Sequence, residues 1–384
     1  MFMNLKFLYS AIFAVFFGMI CCAVDISEID SNFRTASIGN AEVHFYNALA
    51  GEPFELTGFP WWDGEGPLYR LPPNLTSDDV THYISQVLGY HTSGGAIRFR
   101  SNSPAIYLRA ELYNGTDMPH MTRGGSGGFD LFINAGKENE FIDGSVFPSP
   151  EAIKGAPIEA RVSLWRGNED IRDYTLYLPL YSGVKSLEIG IEPGSILEAP
   201  LPQTIDKPIV FYGSSVTQGA CASRPGNNFA TMLCRAVDAP QVNIGLSGSA
   251  TGQLALARAI AELDPAVFVY DYDYNAPDAN FLARTHEPFF LEFRKYAPDV
   301  PVIMLSKCTM TSPERTAIIK KTYDNAVARG DQNVCFIDGK ELFGDVGQIY
   351  ARVDPYHPND LGFYMMFQRI LPALEEALAI NYQQ

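Results

Sequence analysis

The sequence predicts a three-layer α/β/α domain with a parallel sheet, preceded by an antiparallel, jelly-roll-like β-sandwich domain. Short runs of alternating apolar and polar residues fill the first half, whereas strand-like and helix-like segments alternate in the second. A connector marked by prolines separates the two halves near residues 193–208. With 384 residues, 47% of them hydrophobic and 19% charged, the chain has the composition of a globular protein and the length of one large or two ordinary domains.

Residues 24–200 are predicted to form the sandwich. Alternation with a period of two residues is typical of strands that bury one face, and glycine, proline, asparagine and aspartate separate the runs. Helical periodicity is scarce apart from a short helix predicted over residues 77–88. The predicted strands are Ala96–Arg100, Ala105–Tyr113, Phe129–Ile133, Ala160–Trp165, Tyr174–Leu178 and Ser186–Ile191.

Residues 207–384 are predicted to form the parallel sheet with helices on both faces. Compact apolar strands alternate there with segments of helical spacing, which is the pattern of a parallel α/β sheet. The predicted strands are Pro208–Tyr212, Val242–Ile244, Ala266–Tyr270, Val300–Leu305 and Asn333–Ile337, and the predicted helices are Asn227–Val237, Gln253–Glu262, Pro313–Arg329 and Asn359–Ile380.

Residues 1–23 have the pattern of a secretory signal peptide. A weakly basic start is followed by the apolar run Phe7–Ile20 and then by small residues. The run is short for a membrane span, which needs about 20 residues. Cleavage after Ala23 and lipid attachment at Cys21 or Cys22 both remain open. We therefore expect export to the periplasm, the cell surface or the extracellular space, without membrane contact apart from such a lipid anchor.

Charge and cysteine content exclude other classes. A net charge of −16, with no lysine- or arginine-rich run, argues against a nucleic-acid partner. The cysteines beyond the leader have no C-x-x-C spacing or Cys/His metal-site spacing, so we expect buried free thiols or at most one disulfide, and neither a metal nor a cofactor. These cysteines are Cys221, Cys234, Cys308 and Cys335.

Parallel sheets carry their active sites at the carboxyl ends of the strands. After the first predicted strand, Gly213 permits a tight turn that presents Ser215, a candidate nucleophile. Taken alone, the segment would also suit an ordinary helix-capping turn. After the second strand, a glycine loop that contains Gly248 can point a backbone N–H towards the same site, although a plain connecting turn would look the same.

Asn275 follows the third predicted strand. Its neutral amide can donate a hydrogen bond to an oxyanion. Asp271 and Asp273 precede it, but the absence of a histidine or a further carboxylate cluster with suitable spacing argues against a metal pair.

Asp354 and His357 stand immediately before the last predicted helix. A carboxylate three residues before a histidine can fix the tautomer of the ring and stabilise its protonated form. His357 could then take the proton of Ser215 and return it to a leaving alcohol. Alternatively, Asn359 or Asp360 caps the helix and His357 is incidental.

In this order, the serine turn, glycine loop, asparagine and D-x-x-H motif resemble the SGNH hydrolases, also called GDSL esterases, over residues 207–384. The resemblance implies a triad of Ser215, His357 and Asp354. It also implies an oxyanion hole formed by the Ser215 and Gly248 amides and the Asn275 side chain, with no metal or cofactor. Two motifs depart from the family: Gly213-Ser214-Ser215-Val216 replaces G-D-S-L, and Asp273-Tyr274-Asn275-Ala276 replaces G-x-N-D.

A second motif, Gly128-Phe-Asp130-Leu-Phe132, resembles the G-x-D-L-Y sequence of a β-sandwich that precedes some SGNH domains. This resemblance implies an acyl esterase that hydrolyses short-chain, acetyl-type esters of a small molecule or a saccharide. The alternatives are a non-catalytic carbohydrate-binding surface protein and an acyltransferase or thioesterase on the same fold. His120, near this motif, could line the site from the first domain, but a surface or core role is expected. The sequence does not indicate the oligomeric state.

Overall fold

The computed structural model describes residues 35–38, 41–133, 140–163 and 170–381. The predicted signal peptide, with Cys21 and Cys22, lies outside these residues, as does Trp165. None of the helices within the described ranges is long and apolar enough to cross a bilayer.

The first half of the chain forms two antiparallel sheets, here called the sandwich (residues 35–198). The first sheet has the strand order β1-β2-β10-β5-β8, and the second has the order β11-β4-β9-β6-β7, with β3 paired to β4. The labels denote β1 (Thr35–Ile38), β2 (Ala41–Asn47), β3 (Glu55–Thr57), β4 (Ala96–Ser101), β5 (Ile106–Tyr113), β6 (Phe129–Ile133), β7 (Phe141–Val146), β8 (Ile158–Arg161), β9 (Arg172–Tyr177), β10 (Gly183–Ile191) and β11 (Leu197–Glu198), and the short helices are α1 (His82–Gln86), α2 (Arg123–Gly127) and α3 (Pro150–Ile153).

The two sheets of the sandwich share one hydrophobic core. Leu108 and Leu187 from the first sheet join Phe99, Leu131 and Leu176 from the second in a single cluster, and all five are fully buried. Face-to-face packing of this kind is what alternating strands predict. The predicted antiparallel sandwich is therefore confirmed.

The second half forms a parallel sheet with the strand order β13-β12-β14-β15-β16, here called the three-layer region (residues 209–381). Its strands are β12 (Ile209–Gly213), β13 (Gln241–Gly245), β14 (Val267–Asp271), β15 (Val302–Leu305) and β16 (Val334–Ile337), and its helices are α4 (Ser215–Gln218), α5 (Phe229–Ala236), α6 (Leu254–Glu262), α7 (Ala279–Tyr296), α8 (Pro313–Ala328), α9 (Gly339–Tyr350) and α10 (Asp360–Asn381).

Successive residues of the central strands point to opposite faces of this sheet. Phe211 and Val269 lie in the cluster that includes residues of α5 and α10. Tyr212 and Phe268 lie in the cluster that includes residues of α6 and α7. Burial on both faces explains the continuous apolar strands, and it confirms the predicted α/β/α arrangement.

Helices α7 and α9 were not predicted. Proline lacks an amide hydrogen and usually breaks a helix, so Pro288 in the middle of α7 obscured its apolar face. That face is nevertheless regular, since Leu282, Phe289 and Phe293 are buried along it. In α9, the backbone of Gly344 is not helical, which divides the segment.

Three strand ends meet where the sequence predicts the site. Gly213, the last residue of β12, pairs in register with Gly245 of β13 and with Asp271 of β14. The loops that follow these strands therefore leave the sheet side by side.

Candidate active site

The turn after β12 presents Ser215 and depends on Gly213. A Cβ atom at Gly213 would lie 2.0 Å from Thr217 Oγ1 and 2.7 Å from the Asp271 carbonyl oxygen, so no larger residue fits. Ser214 caps the next helix, because its hydroxyl accepts a hydrogen bond from the Val216 amide at 3.2 Å. Ser215 is the first residue of α4. The capping role of the alternative interpretation thus belongs to Ser214, which leaves the Ser215 hydroxyl available.

Ser215, His357 and Asp354 lie in one hydrogen-bonded line. Ser215 Oγ is 3.0 Å from His357 Nε2, and His357 Nδ1 is 2.8 Å from Asp354 Oδ2. The sequence separates the serine from the histidine by 142 residues, yet the fold places them in contact. This geometry suits proton transfer from the hydroxyl to the ring.

A tight turn holds Asp354 in place. Its Oδ1 accepts the backbone amides of Tyr356 at 2.7 Å and His357 at 2.8 Å. Partial burial favours the neutral carboxyl, but the hydrogen bonds from the His357 ring and these two amides outweigh it and lower the pKa of Asp354. Asp354 is therefore ionised at neutral pH and can stabilise a protonated His357.

The loop that contains Gly248 and the side chain of Asn275 are linked directly. Gly248 has φ of +67°, a left-handed conformation that favours glycine. Two residues later, the Ala250 amide donates to Asn275 Oδ1 at 3.2 Å. This bond uses the oxygen of the Asn275 amide and leaves its Nδ2 group as the donor for a ligand. Both oxyanion-hole candidates are thus held in one assembly beside the serine turn.

Gln218, the last residue of α4, connects this helix to the loop that contains Gly248. Its Oε1 accepts the Ser247 amide at 3.0 Å, and its Nε2 donates to the Leu180 carbonyl at 3.1 Å. Nε2 also lies 2.9 Å from His91 Nδ1. Burial, with a smaller effect from the charge of Arg70, lowers the pKa of His91 to about 3, so this ring is neutral and accepts the bond.

Arg70 of the sandwich is fully buried below the glycine loop. Its guanidinium donates to the carbonyl oxygens of Leu88 at 3.0 Å, Asn243 at 2.8 Å and Gly245 at 2.7 Å. The last two carbonyls belong to the end of β13, where the loop begins. Arg70 therefore fixes the base of the loop from outside the parallel sheet.

Asp130, the acidic residue of the G-x-D-L-Y-like motif, anchors the segment after the serine helix. It is fully buried and accepts hydrogen bonds from the Gly226 amide at 2.8 Å and from Arg224 Nη1 at 3.0 Å. At the other end of the segment, Asp360 accepts the Ser223 amide at 2.8 Å. Arg224 is accordingly a structural partner of the motif.

The acidic pair before Asn275 is occupied by protein partners. Arg315 Nε donates to Asp273 Oδ1 at 2.7 Å, and the Lys307 amide donates to Asp273 Oδ2 at 3.1 Å. Asp271 accepts the Thr217 hydroxyl at 2.7 Å. Both side chains thus have hydrogen-bond partners within the protein.

Sequence reasoning missed Arg70, His91 and Gln218. Arg70 does carry a sequence signal, because it stands in the apolar segment Leu68-Tyr-Arg-Leu71. A charged residue that is buried with such a segment needs hydrogen-bond or charge partners. Two of the three acceptors of Arg70 are backbone carbonyls more than 170 residues away in the sequence, and no side-chain pattern reveals them.

Two protein-family models match the chain. The GDSL-like lipase/acylhydrolase family model matches residues 206–375. Residues 206–375 therefore belong to this family. A second family model, the GxDLY N-terminus of SGNH-hydrolase-type esterases, matches residues 43–197. The protein is therefore a carboxylic ester hydrolase of the SGNH type with the sandwich of that subgroup. The predicted domain limits of 24–200 and 207–384 stay predictions.

Solved structures with the same fold cover most of the chain. A protein from Bacteroides ovatus ATCC 8483, described as a GDSL-like lipase, is 26% identical over 88% of this chain and 98% of its own, with a TM-score of 0.74. A salicylyl-acyltransferase from a tetracycline biosynthetic pathway is 18% identical over 87% and 98%, with a TM-score of 0.68. An acetyl xylan esterase from Butyrivibrio proteoclasticus is 12% identical over 87% and 99%, with a TM-score of 0.56. No curated protein matches the sequence.

Proposed function

We propose that this SGNH hydrolase is an exported serine esterase that removes short acyl groups, acetyl above all, from saccharide esters. In this proposal Ser215 is the nucleophile, His357 the general base and acid, and Asp354 the residue that orients the ring. The observation that carries it is the continuous line of hydrogen bonds from Ser215 Oγ through His357 to Asp354.

Ser215 Oγ attacks the ester carbonyl while His357 Nε2 accepts its proton. The negative charge on the carbonyl oxygen would be stabilised by the Ser215 and Gly248 amides and by Asn275 Nδ2. His357 then gives the proton to the leaving alcohol, and an acyl-serine remains. Water, deprotonated by the same ring, releases the acid and restores the serine.

The saccharide part of the proposal is supported by the structural neighbours. One is named as an acetyl xylan esterase, and another is a family two carbohydrate esterase from Clostridium thermocellum in complex with cellohexaose. The predicted signal peptide would bring the enzyme to saccharides outside the cell.

The test compares wild type with Ser215→Ala and with Ser214→Ala as the matched control. Wild type should hydrolyse p-nitrophenyl acetate faster than longer acyl esters and should release acetate from acetylated xylo-oligosaccharides. Ser215→Ala should lose at least about 1,000-fold in kcat. Ser214→Ala should lose only the cap, about 1 kcal/mol of stability, and remain active. Activity retained in Ser215→Ala would refute the proposal.

A second candidate is acyl transfer, which the likeness to the salicylyl-acyltransferase favours. An acyl-serine can be resolved by water or by another alcohol with the same residues. Product analysis with and without an added sugar acceptor distinguishes the two: a transferase forms the new ester in preference to the free acid.

A further inference from the structure

Three side chains of types that commonly bind metal ions lie close together, and one of them is His357, the proposed catalytic base. His120 belongs to the sandwich, Cys221 lies just after α4, and His357 precedes α10. One ligand atom from each lies within 4.8 Å of the others, and the His120 and His357 ring centroids are 5.6 Å apart. We propose that this cluster binds a borderline-soft divalent cation, of which Zn²⁺ is the type, and that the bound ion inhibits the esterase.

The donor set selects the class of ion. Two imidazoles and one thiolate suit Zn²⁺ and its first-row neighbours, whereas Mg²⁺ and Ca²⁺ prefer oxygen ligands. Tetrahedral Zn²⁺, with bonds of about 2.0–2.3 Å, holds its ligand atoms about 3.5 Å apart. Ligand atoms at the 4.8 Å limit would have to move closer by about 1.3 Å. His120 is exposed and is the side chain best placed to move, while Cys221 is buried.

His357 already has the arrangement of a metal-binding histidine. A metal-bound histidine usually donates its second ring N–H to a carboxylate. His357 Nδ1 lies 2.8 Å from Asp354 Oδ2, which leaves the lone pair on Nε2. Nε2 is also the atom that faces Ser215 Oγ at 3.0 Å. An ion on Nε2 would take the lone pair that must accept the serine proton.

Binding exchanges one proton for the ion. The Cys221 S–H bond breaks, a sulfur–metal bond forms, and the proton passes to solvent, while both imidazoles bind as neutral rings. No oxidant or reductant is needed. The inhibitory half of the inference rests on the proposed function, because it requires His357 to be the base, whereas the binding half rests on the cluster alone.

The binding test uses the full-length protein freed of metal. Calorimetric titration with Zn²⁺ should show one site, and Co²⁺ should give a thiolate-to-metal charge-transfer band. Cys221→Ser and His120→Ala should each weaken Zn²⁺ binding at least tenfold, and Cys221→Ser should remove the band. The matched controls are Cys335→Ser, at a partly exposed free thiol, and His82→Ala, at an exposed histidine. Both should bind Zn²⁺ as wild type does.

The inhibition test follows p-nitrophenyl acetate hydrolysis over the same Zn²⁺ range, with each variant compared to its own metal-free rate. Inhibition of wild type should follow the calorimetric dissociation constant and be reversed by a chelator. Equal Zn²⁺ binding by wild type, Cys221→Ser and His120→Ala, or no binding by wild type, would overturn the site. Bound Zn²⁺ that leaves kcat unchanged would overturn the inhibitory role. Calorimetry needs no turnover, so an inactive esterase would count against the proposed function and leave the binding result standing.

Discussion

The sandwich and the three-layer region contribute to the candidate site in different ways. The groups proposed to attack the ester, transfer the proton and stabilise the oxyanion all come from the three-layer region: Ser215, His357 and Asn275. The sandwich supplies buried polar side chains that hold backbone: Arg70 binds carbonyls at the end of β13, and Asp130 binds the Gly226 amide. The comparison teaches that the sandwich supports the candidate site, because its side chains hold the start of the loop that contains Gly248 and the segment after α4.

The largest expected effect is at the proposed base, in the three-layer region. His357→Ala should lower kcat on the order of 10,000-fold, because it removes Nε2, the proposed proton acceptor 3.0 Å from Ser215 Oγ. Thermal unfolding should change little, since the ring is partly exposed. Ester hydrolysis measured beside His82→Ala checks this, and comparable activity in the two variants would remove His357 from the mechanism.

The next largest expected effect on kcat is at Asn275, where two variants distinguish the role of the amide oxygen from that of the amide nitrogen. Asn275→Asp keeps an oxygen for the Ala250 amide but removes the Nδ2 donor, whereas Asn275→Ala removes both. Both variants should lose about 100-fold or more in kcat. Asn275→Asp should keep more of its thermal stability. If Asn275→Asp hydrolysed esters at the wild-type rate, the side chain would only tether the loop.

Arg70→Lys tests the contribution of the sandwich. Lysine cannot reach all three carbonyls, so stability should fall by about 3 kcal/mol, and kcat should fall about tenfold through the displaced loop, with little change in KM. The matched control is Arg98→Lys, since Arg98 is a buried sandwich arginine that binds Glu55 and the Leu201 carbonyl. The control should lose stability and keep kcat. Equal kcat values for the two variants would reduce Arg70 to a purely structural residue.

The smallest expected effect on ester hydrolysis is at Asp271, beneath helix α4, where the change is in the pH dependence of stability. Burial raises the pKa of Asp271 to about 7, against the hydrogen bond from Thr217. In the unfolded chain this carboxyl ionises near pH 4, so between pH 4 and 7 the folded state holds the extra proton and loses stability as pH rises.

Asp271→Asn removes this dependence while keeping an oxygen for Thr217. The melting temperature of the variant relative to wild type should therefore rise between pH 4 and 7 and then level off. Thermal unfolding at several pH values measures this difference. A constant difference across the range would show that Asp271 ionises normally in the fold.

The sequence predicted the elements that follow a repeating pattern and missed what depends on distant contacts. Strand β6 was predicted with its observed bounds, because turn-forming residues flank both its ends. Strand β12 begins and ends one residue later than predicted. The candidates Ser215, Asn275 and His357 were found because each follows a strand or precedes a helix within a known motif.

For His120, by contrast, the sequence favoured a surface or core role over a place lining the site, since residues 120, 221 and 357 share no local pattern. The same limit applies to Arg70, whose role is decided by backbone carbonyls. The sequence left the capping interpretation of the serine turn open, and the structure assigns the cap to Ser214.

The central claim is that Ser215 Oγ is the nucleophile, and covalent trapping tests it most directly. Wild type should be inactivated by a fluorophosphonate, and mass spectrometry of the digested protein should find one adduct, on Ser215, in proportion to the activity lost. His357→Ala should be labelled far more slowly, because the hydroxyl then lacks its base. Loss of activity with an adduct on another serine such as Ser214 or Ser247, or full labelling with no loss of activity, would contradict the account.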